Sequence, residues 1–195
     1  MSDVEEKDLT KYSKLNEFFS RRLKIESRPI AESCLVSPAD SRCYHFGKVN
    51  NFVIEDVKGF NYNLDAFFGR LLSVNEKVVH RISDLFDINE RMLLIGDWEH
   101  GFFSMTAVGA TNVGAIELDF DEHRTNIKLE AIGTHDDRTY DLPVLKKRGD
   151  PFGRFHFGST LVLVFQAPKE FEFAIKKGDK VKLGQKLGSL QRVDF

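Results

Sequence analysis

Five consecutive residues late in the chain, Leu161-Val162-Leu163-Val164-Phe165, are all apolar, and Gly158 closes the run on its N-terminal side. A run this short, rich in β-branched and aromatic side chains and bounded by glycine, predicts a buried strand. Alternation puts Val162 and Val164 on one face and Leu161, Leu163 and Phe165 on the other. Both faces then need cover, so the strand is expected at the centre of its sheet. Similar runs recur. Residues 92–96 and 101–109 flank the polar loop Asp97-Trp98-Glu99-His100 and predict a hairpin; residues 113–120 and 171–175 predict further strands, and residues 43–64 alternate weakly around Gly47 and Gly59. The class this predicts is a β-rich α+β fold, a sandwich or partly closed barrel of short strands, with all 195 residues in a single domain, 1–195.

One stretch departs from the period of two. Leu9, Tyr12, Leu15, Phe18, Phe19 and Leu23 recur at spacings of three and four, which predicts an N-terminal amphipathic helix over residues 9–23. Lys11, Lys14, Arg21, Arg22 and Lys24 are available to its polar side, and Arg28-Pro29 ends the pattern. Such a stripe either packs on its own domain or, with basic residues beside Phe18-Phe19, lies on a membrane surface. One or two short helices are expected between Asp65 and Phe86. No apolar run approaches the roughly 18–20 residues that cross a bilayer. A formal net charge of −2 gives no basic surface for nucleic acid, and Cys34 and Cys43 lack metal-ligand spacing, so neither a nucleic-acid partner nor a metal is expected. The start, residues 1–8, is acidic and shows neither a signal-peptide core nor an Arg-rich presequence.

The chemistry lies just ahead of the apolar run, at Gly158-Ser159-Thr160. Glycine has no Cβ, so the hydroxyl of a following serine can approach the preceding carbonyl. Attack there moves the acyl group from nitrogen to oxygen. Elimination and hydrolysis of the resulting ester leave a pyruvoyl group at a new N-terminus, an electron sink that forms Schiff bases with amines. On its own the tripeptide is a common turn or strand start. Here it follows Ser37-Pro38-Ala39-Asp40, Val57-Lys58-Gly59, Asn89-Glu90-Arg91 and Val108-Gly109-Ala110-Thr111-Asn112-Val113-Gly114.

Taken in that order, these motifs resemble the phosphatidylserine decarboxylase family over residues 15–190, and Gly96-Asp97-Trp98-Glu99-His100-Gly101-Phe102-Phe103-Ser104 is most similar to its mitochondrial, eukaryotic branch. The resemblance implies a precursor that cuts itself between Gly158 and Ser159 into a β chain, 1–158, and an α chain, 159–195. Ser159 would supply a covalent pyruvoyl cofactor, and Asp40 the carboxylate of an Asp-His-Ser set. The product would be phosphatidylethanolamine from phosphatidylserine, made by a peripheral protein of the mitochondrial inner membrane. Two departures from the family pattern stand out. Ser41 replaces its usual glycine, and several tens of residues carrying a Tyr-His-Arg-x-His-like motif are absent between Gly69 and Leu71. Val79-His80-Arg81 matches another part of the family; His156 is the first candidate for a substitute base, with another histidine as the alternative, and without the segment the chain is expected to remain mostly uncut. The alternative is a non-catalytic or processing-defective relative, or a splice form, that keeps the fold and the lipid contact. Residues 178–188 also resemble the hairpin of biotinyl and lipoyl carrier domains, but no modifiable lysine follows in a second hairpin turn.

Overall fold

The computed structural model describes residues 2–51, 53–57, 60–64, 91–109, 115–122, 124–125, 138, 140, 143–158 and 160–191. The helices expected between Asp65 and Phe86, the glycine loop at residues 110–114, His80 and Ser159 lie outside the described residues. Among those described, the strands are β1 (Leu35–Val36), β2 (Ser41–Arg42), β3 (Val53–Val57), β4 (Phe60–Asn63), β5 (Arg91–Trp98), β6 (Gly101–Val108), β7 (Ile116–Leu118), β8 (Gly153–Phe155), β9 (Thr160–Phe165), β10 (Phe171–Phe173), β11 (Lys180–Val181) and β12 (Lys186–Leu190). They form small antiparallel sheets within two compact units, and among the described residues no sheet closes into a barrel. The β-rich class holds, and the partly closed barrel does not.

One unit takes residues 1–27 and 81–166. Here β5 and β6 form the expected hairpin, and the pairing of Trp98 with Gly101 leaves Glu99-His100 as its turn. β9 runs antiparallel to β6, from Val108 opposite Thr160 to Phe103 opposite Phe165. The order is β5-β6-β9, so β6 is central and β9 lies at the edge of the described sheet. Within the described sheet, the central place expected for this strand belongs to β6. Ser104 and Thr106 of β6 are fully buried, whereas only Val162 of β9 is buried and its neighbours are half-exposed. Small hydroxyl residues pack closely at a sheet centre yet lower its apparent hydropathy, and this concealed the rank of β6. One end of the sheet is closed by Trp98, whose ring meets those of Phe103 and Phe165 and whose Nε1 donates to the Gln166 carbonyl at 2.9 Å.

The N-terminal helix expected over residues 9–23 is not formed. In its place stand a 3₁₀ turn at Leu9–Lys11, an α-helix, α1, at Leu15–Phe19, and a second 3₁₀ turn at Ile25–Ser27. Polar side chains break the pattern by competing for backbone groups. Asp8 accepts from the backbone N–H of Thr10, while the Glu17 carboxylate accepts from both the backbone and the hydroxyl of Ser13, which starts α1 afresh. At the other end, Arg21 donates to the Phe18 carbonyl at 2.7 Å. No residue of the three turns is buried, and Leu15 and Ile25 are 67% and 84% exposed.

The other unit takes residues 28–80 and 167–195. Its main sheet has the order β1-β12-β10, β2 pairs with β11, and β3 pairs with β4. Leu35, Ile175, Val181 and Leu187 are buried here. The turn between β11 and β12 depends on Gly184, at φ +79°, where a Cβ would stand 2.7 Å from Ile30 Cδ1 and 2.8 Å from the Pro29 carbonyl oxygen. Two hydrogen bonds hold that approach, from Ala31 N–H to the Gly184 carbonyl and from Gly184 N–H to the Ser37 carbonyl, each 2.8 Å.

Candidate functional site: the Gly158-Ser159 junction and Asp40

In the first unit, the segment leading to Gly158 leaves the short β7–β8 ladder, in which Glu117 is directly opposite Arg154. The chain bends at His156 and Phe157. Both residues are tied down: the His156 N–H donates to the Ala115 carbonyl at 2.9 Å, and the Phe157 ring packs on Phe19 with centroids 5.1 Å apart. On the far side of the junction, Thr160 opens β9 opposite Val108. Gly158 therefore follows one anchored segment, and Thr160 begins another. A Cβ placed on Gly158 would meet no described atom within 4 Å, so packing among the described residues does not require glycine there.

His156 makes a close polar contact within this unit. Its Nε2 lies 2.7 Å from Glu117 Oε2, and its side chain is only 16% exposed. That bond is the main reason the Glu117 carboxyl is held below its ordinary value; Arg154, 4.0 Å away, acts in the same direction. An ionised Glu117 can only accept, so Nε2 of His156 donates to it. Glu117 is a functional candidate that the sequence did not mark, because only the β7–β8 register brings it to His156.

Asp40 belongs to the second unit. Ser37-Pro38-Ala39-Asp40 turns between β1 and β2, with the Ser37 hydroxyl donating to the Ala39 carbonyl at 2.8 Å. Arg28 grips the Asp40 carboxylate through Nε and Nη2, at 2.8 and 2.5 Å, and the Leu183 N–H donates to Oδ1 at 2.8 Å. The Arg28 hydrogen bonds hold the Asp40 carboxyl below its ordinary value; partial burial opposes them, and the Leu183 N–H adds to them. Ser41, where the sequence pattern has glycine, opens β2 opposite Val181. Among the described residues, then, Asp40 is an ionised carboxylate fixed to the tail turn at Leu183, and His156 has a carboxylate of its own in Glu117.

Comparison with known proteins finds likeness along most of the chain. The profile of a family described as phosphatidylserine decarboxylase matches residues 15–70 and 65–189, two stretches that meet at 65–70. The mitochondrial phosphatidylserine decarboxylase proenzyme of Rattus norvegicus is 34% identical over 259 aligned residues, covering 97% of this chain and 64% of the relative. That of Caenorhabditis elegans is 37% identical over 96% of this chain and 61% of its own length, and the mitochondrial proenzyme 1 of Saccharomyces cerevisiae is 44% identical over 66% and 28%. The chain thus spans a little under two thirds of the length of the rat relative, and several tens of positions in that alignment face no residue of this chain. No solved structure matches it.

Proposed function

Since the chain belongs to the phosphatidylserine decarboxylase family, we propose that it is a self-processing precursor whose mature form removes the carboxylate of phosphatidylserine to give phosphatidylethanolamine. The carrying observation is the family match across residues 65–189, which spans Gly158-Ser159 and the strands anchoring it. The cut falls between Gly158 and Ser159 and yields chains 1–158 and 159–195 of one domain. A pyruvoyl group made from Ser159 fits this position, since the junction is open at Gly158 and the next residue, Thr160, is paired to β6. When present, that group supplies an electron sink for loss of carbon dioxide. The rest falls to the chain's own side chains. Thr160, through its pairing with Val108, keeps the new terminus on the sheet after the cut. Asp40 remains the family's self-cleavage carboxylate, already ionised under Arg28, and the Asp40–Leu183 bond helps to retain the smaller chain.

Strand pairing keeps the two products together: β9 stays on β6, β12 on β1, and β11 on β2. The mature protein acts at the mitochondrial inner membrane as a peripheral protein, with the exposed Leu15 and Ile25 and the nearby lysines and arginines meeting anionic lipid. The family match falls into two stretches that overlap at 65–70, which supports placing the absent histidine segment that the resemblance implies between Gly69 and Leu71. The test is intact-mass spectrometry with a decarboxylation assay on phosphatidylserine vesicles. A version carrying a family-type histidine segment between Gly69 and Arg70 is expected to cut at Ser159 and release carbon dioxide, and Ser159→Ala to do neither. A chain that carries the segment, folds, and still neither cuts nor turns over lipid overturns the assignment.

A further inference from the structure

We propose that the loop at residues 143–152 is a second membrane contact, in which Val144 and Leu145 enter the acyl boundary of an anionic bilayer and Lys147 meets its headgroups. The inference rests on the peripheral-membrane reading above and adds a surface separate in sequence from the N-terminal turns.

Three observations carry it. First, the loop is inside out. Lys146 is half-buried, with its Nζ over the rings of Phe120 and Phe152, 5.0 and 5.6 Å from their centroids, and donating to the Pro151 carbonyl at 2.6 Å. The leucine beside it is 87% exposed, and Val144 is 40% exposed. A single surface leucine is ordinary. Here a cation occupies the seat on the aromatic rings while two adjacent aliphatic side chains stand in water. Second, the turn that follows them is set by its own hydrogen bonds. The Lys147 N–H donates to Asp150 Oδ2 at 2.8 Å, the Asp150 N–H donates to the Lys147 carbonyl at 3.0 Å, and Gly149 takes a left-handed φ of +92°. At the far end of the loop the Asp119 N–H donates to the Phe152 carbonyl at 3.0 Å. The aliphatic pair is thus presented on an ordered backbone, which lowers the entropy lost on binding. Third, residues 143–152 carry Lys146, Lys147 and Arg148 against one acid, Asp150, and its carboxylate already accepts a bond within the turn.

Aliphatic side chains beside an excess of cations complement a bilayer whose headgroups are negative: the acyl boundary takes the apolar pair, and each lysine or arginine near such a surface strengthens binding about fivefold. Phosphatidylserine, the substrate proposed above, is itself anionic, so the membrane that carries it is the surface this loop fits. One apolar anchor gives only marginal, reversible binding, and stable attachment takes a second signal. The N-terminal turns and this loop belong to the same compact unit and supply the two.

Flotation of the full 195-residue chain on vesicles of phosphatidylserine with phosphatidylcholine tests this, and vesicles of phosphatidylcholine alone give the neutral arm. Leu145→Ser should lower partition by about tenfold or more, through lost apolar burial. Lys147→Gln should lower it about fivefold on anionic vesicles and leave it unchanged on neutral ones, and that difference should shrink at high salt. Leu145→Trp should add emission that brominated acyl chains quench, over the baseline set by Trp98 in the unmodified chain. Urea melts of these variants should match the unmodified chain, since Leu145 and Lys147 are exposed. If Leu145→Ser floats as well as the unmodified chain and Leu145→Trp is not quenched, the loop is overturned as a lipid contact and the peripheral reading stands. Self-association that Leu145→Ser abolishes while flotation is unchanged gives the face to a second copy of the chain and also overturns it. An unmodified chain that does not float overturns both the loop and the peripheral reading.

Discussion

Replacing Gly158 by alanine separates what the fold needs from what the chemistry needs. No described atom lies within 4 Å of the added Cβ, and Gly158 does not have a positive φ. The substitution therefore meets neither a clash nor left-handed strain, and the stiffer unfolded chain should leave stability unchanged or raised by about 0.4–1 kcal/mol. Two other glycines calibrate the measurement. At Gly153 a Cβ would overlap the Glu117 carbonyl across the β7–β8 ladder, so Gly153→Ala should cost about 1–3 kcal/mol and disturb the Glu117–His156 pair. At Gly184 an alanine adds a left-handed conformation, worth about 1–2 kcal/mol, to close contacts with Pro29 and Ile30. Urea melts at constant m-value read all three. Cutting at the junction should nevertheless slow in Gly158→Ala, because the new methyl crowds the carbonyl that Ser159 attacks. A loss of more than about 1 kcal/mol in Gly158→Ala would refute the reasoning, since glycine would then be serving the fold.

Asp40 has a folded-state pKa below its unfolded value, so the stability it contributes is complete above the ordinary carboxylate range, near 3.8, and is lost as pH falls through the lower folded value. Asp40→Asn should therefore flatten the acid limb of the stability profile below about pH 4, and an unchanged limb in urea melts counts against the Arg28 clamp. Leu163 is half-exposed on an edge strand of the described sheet, so Leu163→Ala should cost less than the roughly 2–5 kcal/mol of a fully buried leucine; a loss at the top of that range by denaturant melt points to a further layer over β9. Leu15→Ser with Ile25→Ser should abolish flotation on anionic vesicles without lowering the melting temperature, because neither side chain is buried; unchanged flotation excludes this surface as the lipid contact.

What could be read from the sequence was whatever depends on local pattern. The β5–β6 hairpin, the strand at Thr160–Phe165, the broken strand at Leu35–Val36 and the glycine-marked tail follow from periodicity and turn residues, and the structure has them. Three features failed for physical reasons. The spacing of Leu9 to Leu23 is helical, but Asp8 and Glu17 take up backbone donors at Thr10 and Ser13 and cut the helix to five residues. The apolar character of β9 suggested a central strand, yet within the described sheet β6, with the buried Ser104 and Thr106, holds that place. The Glu117–His156 pair spans 39 residues and exists only through strand register, which one sequence does not reveal. Asp40 could be named from its motif, but not its partners Arg28 and Leu183, the latter 143 residues away.

The pairing of β1 with β12 and of β2 with β11 bears on the order in which the chain can fold during synthesis. Residues 35–42 are made before β5, β6 and β9, whereas their partners at residues 180–190 follow those strands, so their backbone groups must wait for the intervening chain. Ser33, whose hydroxyl bonds the Gly188 carbonyl, waits for a residue 155 positions downstream. Contacts of such long sequence separation are slow to form and leave strand edges exposed meanwhile. A nascent chain stalled before β11 should therefore have the β5–β6–β9 sheet within reach while the β1 and β2 edges stand open, available to a chaperone and sensitive to protease until β11 and β12 arrive.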